Sequence, residues 1–164
     1  MNDSKLGVIS KVVPLKAPVD SAGTAYASPY VDMKNALHAT FFYYAGVVTA
    51  TSADQAVVIT FECATAAASA ANEVAVPFTY RKSGATGTDT WGTPTAASTY
   101  SYGTTDDGSM VLFDVDLSQL ESLLADARFV RMVVGVDAGG TVTLNAAWAV
   151  LEQRYPQLTT LSAS

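Results

Sequence analysis

His38 is the single histidine of this 164-residue chain, and Cys63 is its single cysteine. With one of each, a zinc centre built from several imidazoles and thiolates is excluded. A Ser-His-Asp triad would have to use His38 as its base, and no Gly-x-Ser-x-Gly elbow accompanies it. His38 lies in an alternating stretch, on the face opposite Phe41 and Tyr43, which suits a surface or interface imidazole better than a base. Cys63 falls on the apolar side of its own segment, where a thiol acts as a small buried hydrophobe. Asp89, Asp106 and Asp107 offer carboxylates, but the alternating acids and distant Glu of a calcium loop are missing. Gly84-Ala85-Thr86-Gly87 reads as a turn rather than a phosphate cradle. Nothing singles out a pair of carboxylates for glycoside hydrolysis. The inventory points away from an enzyme and calls for no metal and no cofactor.

One aromatic group invites a binding role. Trp91 lies in a Gly-rich stretch with Tyr80, Tyr100 and Tyr102 nearby in sequence. Aromatics on a sandwich rim can stack on sugars, so a carbohydrate-binding module is one reading. Trp91 folding back to cap the core, or meeting another protein, are the others.

The elements that would position these residues are short strands. Gln55–Ala64 places Val57, Ile59, Phe61 and Cys63 on one face. Thr141–Val150 places Val142, Leu144, Ala146, Trp148 and Val150 on one face. A two-residue period marks half-buried strands. Leu37–Gly46 carries Leu37, Ala39, Phe41 and Tyr43 on one side and His38, Thr40, Phe42 and Tyr44 on the other. Both sides are locally apolar, as in a central strand covered twice or a strand with an interface face. Glu73–Lys82, Met110–Asp116 and Phe129–Asp137 alternate in the same way, with Pro77 marking an edge or a bulge. A further strand is expected near Ser98–Tyr102, because the stretch 83–108 is too long for a structureless loop. One helix is expected over about 117–126, with Leu117, Leu120, Leu123 and Leu124 at helical spacing and Ser118-x-x-Glu121 in capping-box form. Asp137-Ala138-Gly139-Gly140 reads as a hairpin turn joining its two flanking strands.

The predicted fold is mainly β: an antiparallel β-sandwich with one short helix, a jelly roll or another Greek-key arrangement. Residues 1–20 read as an extended N-terminal arm punctuated by Pro14 and Pro18, 21–156 as a single sandwich domain, and 157–164 as a polar tail. No apolar run approaches the ~20 residues of a membrane span, and the first residues lack the pattern of a secretory signal, so folding in a cytosol is expected. The net charge of −6 argues against a nucleic-acid surface. Charged residues are 15% of the chain, against about 25% in ordinary domains. A surface so poor in charge suits broad protein contact, since interface cores are depleted in charge.

Several segments, in order, carry a family resemblance: Ser28-Pro29-Tyr30-Val31-Asp32-Met33-Lys34-Asn35, Val76-Pro77-Phe78-Thr79-Tyr80-Arg81, Asp89-Thr90-Trp91-Gly92, Phe129-Val130-Arg131 and Arg154-Tyr155-Pro156. From about Lys11 to Pro156 the chain resembles the head decoration, or cement, proteins of tailed bacteriophages. That resemblance implies a structural virion protein made in the host bacterial cytoplasm and seated on the capsid surface. Its partner would be the major capsid protein, and it would be a homo-oligomer, with a trimer favoured. Neither nucleic acid nor membrane is an expected partner. The family has no catalytic residues to carry over. The residues expected at protein contacts are Val8, Val12, Val13, Pro14, Leu15 and Pro18 in the arm, Phe42 and Tyr44 on the doubly apolar strand, and Trp91. A neck, tail or fibre adaptor is the neighbouring alternative, and a sugar-binding module the more distant one.

Overall fold

Two-residue alternation forces the chain into strands, and their buried faces must meet. The structure is a computed structural model that describes residues 10–19, 24–49, 57–67, 72–84, 89–136, 141–142 and 144–154. Two antiparallel sheets result. The larger runs β1 (Ser10–Val19), β14 (Asn145–Gln153), β4 (Ala36–Ala45), β11 (Met110–Asp116), β8 (Phe78–Lys82), β9 (Thr95–Ala97). The smaller runs β10 (Tyr100–Tyr102), β6 (Val57–Ala64), β12 (Phe129–Val136), β2 (Tyr26–Ala27). β3 (Val31–Asp32) also pairs with β12, and β7 (Val74–Ala75) with β6. A ribbon of β5 (Val48–Thr49) and β13 (Thr141–Val142) stands apart. The helix α1 is Leu117–Leu123.

The long strands alternate between sheets as the chain proceeds. β1, β4, β11 and β14 lie in the larger sheet; β2 with β3, β6, β10 and β12 lie in the smaller. The first strand ends beside the last, which is the wrapping of a jelly roll. β8 and β9 are an inserted hairpin that widens the larger sheet. Pro77 falls where the chain leaves β7 in one sheet for β8 in the other, a crossover at which a missing N–H breaks no ladder.

The core lies between the sheets. Phe41, Phe61 and Phe113 are fully buried, and Phe61 stands 4.9 Å from Phe41, 5.2 Å from Phe78 and 5.4 Å from Phe113. Phe61 comes from the smaller sheet and the other three from the larger, so this cluster joins the layers. Each such side chain contributes about 1.5–3 kcal/mol by leaving water.

Three expectations change. The expected hairpin between Phe129–Asp137 and Thr141–Val150 does not form. β12 pairs with β6 and β14 with β4 and β1, so this connection crosses between sheets. Both strands bury an inner face, and opposing sheets satisfy both faces at once. Within the stretch read as an arm, Ser10–Val19 is the edge strand β1, paired to β14 from Ser10↔Glu152 to Val19↔Asn145. Pro14 fits there because an edge strand has one side free of ladder bonds, and the register shifts after it. The helix ends at Leu123 rather than near 126, because Leu124 turns to an extended conformation (φ −144°, ψ 119°) while its N–H still closes on the Leu120 carbonyl, and the chain then turns through Asp126 at φ 62°. Residues 1–9 and 155–164, including Val8 and the tail, lie outside the described residues.

Candidate interaction surface

The two outward faces of the sandwich differ in kind. On the smaller sheet, Arg131 sits directly across from Glu62 and binds it through Nε at 3.0 Å and Nη2 at 2.9 Å. Its guanidinium also reaches Glu73 at 2.6 Å and lies 4.9 Å over the Tyr30 ring. The Tyr30 hydroxyl donates to Glu73, and burial followed by this hydrogen bond pushes the phenol up to about 12. This face carries one ion-paired cluster, with Thr60, Val58 and Val133 beyond it.

The larger sheet turns an apolar face outward. Strand register aligns it in rows. Pro14 of β1, Trp148 of β14, Phe42 of β4 and Leu112 of β11 are successive cross-strand neighbours, and the exposed Arg81 of β8 ends the row. Tyr44 has Ala146 on one side and Met110 on the other. Val12 lies against Val150. Phe42 and Trp148 stack at 5.3 Å with planes 6° apart, a contact of about 0.5–1.5 kcal/mol beyond area burial. Val12 is 49% exposed and the other large side chains of these rows are half-buried.

One end of this face is polar. His38 Nδ1 lies 2.8 Å from Asp116, and Nε2 lies 3.0 Å from Asp114. Thr40 donates to the same Asp114 oxygen at 2.8 Å. The Asp114 hydrogen bond leads the effects that raise His38 to about 9, against the opposing pull of burial. For Asp114, burial alone would raise the carboxyl, but the bonds from His38 and Thr40 hold it below its usual range. Asp116 is the residue before α1, yet its carboxylate serves His38 and makes no cap bond. The imidazole is thus held in its charged form between two carboxylates, and the Thr40 hydroxyl 3.2 Å from Nε2 gives its own proton to Asp114.

The expected contact residues fall in different places. Phe42 and Tyr44 lie together in the apolar rows, joined by Val12 and the exposed Pro14. Leu15 is 6% exposed and belongs to the core, and Val13 packs against it; neither faces outward. Pro18 is exposed near the end of β1, away from the rows. Trp91 is 38% exposed beside Lys82, Ser83, Gly84 and Thr90. Its proposed companions on a sugar platform, Tyr100 and Tyr102, are 8% and 0% exposed and form part of the core.

Trp148, Leu112 and Met110 were not foreseen on this surface. β14 alternates bulky Trp148 and Val150 with small Ala147 and Ala149, and the alanines turn inward. The inner face of β14 must be thin because Phe41 and Tyr43 of neighbouring β4 already fill the space. The signal was present in the four consecutive aromatics of β4, which required an apolar partner on each side.

No protein-family model matches the chain, and no curated protein matches it. Two solved structures are distantly similar. One, described as the SPBc2 prophage-derived protein YomS, is 11% identical over 87% of this chain and 91% of that one, with a TM-score of 0.47. Another, a structure of infectious bursal disease virus Gt strain, is 10% identical over 92% of this chain and 46% of that one, with a TM-score of 0.18. Likenesses this weak establish neither fold nor function.

Proposed function

We propose that this chain is a structural virion protein that decorates a tailed-phage capsid, laying the outward face of the larger sheet on the major capsid protein. The apolar rows of the larger sheet carry this reading. Aromatic and aliphatic side chains are what interface cores contain, and here Phe42, Tyr44, Trp148 and Leu112 are gathered in rows on the larger sheet, with the charged groups His38, Asp114, Asp116, Glu152 and Arg81 at their margin. The family resemblance of the sequence segments supports the same assignment.

In this proposal the work is mechanical and no bond is made or broken. A face that binds the expanded shell and not its precursor stabilises the expanded state by mass action. Assembly as a homo-oligomer, a trimer in the favoured arrangement, multiplies weak contacts through effective concentration. Trp91 and the exposed Pro18 provide secondary contacts at the rim.

The test is the copy number of this chain per purified virion, measured by quantitative mass spectrometry against the major capsid protein. A simple lattice ratio is expected. A few copies per particle would move the chain to the neck or tail, and absence from virions would overturn the proposal.

A further inference from the structure

The two edges of the larger sheet are built differently. An edge strand leaves one row of backbone N–H and C=O groups without a ladder partner, and natural edges are blunted by charge or proline. β1 has both, with Lys11, Pro14, Lys16 and Pro18 along it. β9 forms the other edge, and among the described residues it pairs with β8 alone. It contains no charged residue and no proline. Pro94 stands just before it and, having no N–H, fixes where further pairing can begin.

The lack of charge extends well beyond β9. From Thr90 to Thr105 the chain carries no Asp, Glu, Lys or Arg. This run supplies both β9 and β10, which end the two sheets on the same flank of the sandwich, joined by Ser98-Thr99. Unlike Ala39–Ala45 of β4, where alternate residues are buried, Thr90–Ala96 is exposed throughout. It includes Trp91, which bridges to Ser83 on the same hairpin. In a chain of net charge −6, copies repel one another through most of their surface. This flank is where two copies meet without opposing like charges.

We propose that β9 pairs antiparallel with β9 of a second copy, across a two-fold axis through Ala96. Main-chain hydrogen bonds between added strands supply affinity that needs no charge. Ala96 then faces its own symmetry mate and Thr95 faces Ala97, at the spacing of about 4.5–5.5 Å between Cβ atoms of opposed residues, which small neutral side chains tolerate. The axis stands perpendicular to the sheet, since that operation makes one continuous antiparallel sheet from two identical edges. The outward faces of the two larger sheets therefore point the same way. A pair would lay two apolar faces on one shell and gain by effective concentration; this consequence rests on the capsid reading, and the pairing itself does not. The contact is isologous and makes pairs, so a trimer would use another surface.

Sedimentation equilibrium of the full chain, with no capsid present, tests the pairing. A concentration-dependent monomer–dimer equilibrium is expected, strengthened by added salt because salt screens the net charge. Ala96→Asp and Ala96→Lys each set like charges face to face across the axis, and each should weaken dimerisation at least tenfold. Ala96 is exposed, so the far-ultraviolet circular dichroism should be unchanged. An equimolar mixture of the two variants should recover the dimer, because the axis then opposes unlike charges. A monomer at every concentration, an oligomer untouched by both substitutions, or a mixture that recovers nothing would overturn the proposal.

Discussion

At the scale of single residues, His38 makes stability depend on pH. Its folded value of about 9 stands above the ordinary 6.5 because the Asp114 hydrogen bond, then that of Asp116, favours the cation. Glu152, its cross-strand neighbour on β14, adds a third nearby carboxylate. The stabilisation is complete below about pH 6.5 and is lost as pH rises through about 9. Asp114 works in the opposite sense: its contribution is present above the ordinary carboxylate range and is lost as pH falls through its lowered value. The melting temperature of the wild type should therefore exceed that of His38→Gln near pH 7, and the gap should narrow by about pH 10. A constant gap over that window would refute the lock. Trp91→Ala should change stability by no more than about 1 kcal/mol in urea unfolding, because its ring is partly exposed at a rim rather than set in the core. A flat glycan titration of the wild type is expected alongside it.

At the scale of elements, β1 joins the sandwich through one residue above all. Leu15 is in the core, whereas Val12 faces outward. Leu15→Ala should lower the unfolding free energy by about 2–4 kcal/mol, and Val12→Ala by no more than about 1 kcal/mol. The midpoint of urea denaturation separates the two. Lys16 adds a second tie, its ammonium lying 4.6 Å over the Tyr26 ring of the smaller sheet. Removing residues 1–19 should cause aggregation as well as lost binding, because it bares the full length of β14 as a sheet edge. Light scattering of the truncated chain reads this directly, and a monodisperse, folded product would contradict it.

At the scale of the whole molecule, attachment through the outward face of the larger sheet should show a weak dependence on salt. Leu112→Glu places a charge in the apolar rows without touching the core, so the fold should persist while affinity for capsids falls at least tenfold in a sedimentation assay. Attachment through this face should survive moderate salt, since apolar burial is not screened. Loss of capsid binding at moderate salt, with Leu112→Glu neutral, would remove the apolar rows as the attachment surface.

Much of the fold was legible because it depends on local period. The alternation of Val57, Ile59, Phe61 and Cys63, or of Val111, Phe113 and Val115, identifies strand and inner face together, and all seven residues are buried. The leucines at helical spacing placed α1 correctly, with Leu117 and Leu120 buried. Phe42 and Tyr44 were readable as an outward apolar pair because β4 is apolar on both sides. What alternation cannot specify is which sheet a strand joins. β12 and β14 have the period of a hairpin, yet they part, because the burial of both inner faces is a property of two whole sheets. The same limit hid the surroundings of His38: Asp114 and Asp116 are far from it in sequence and meet it only when β11 pairs with β4. Strand period is a property of neighbours in sequence, and the sequence by itself determined it. Pairing partners, the outward turn of Trp148 and the meeting of distant charges follow from closure of the core, which only the tertiary structure decides.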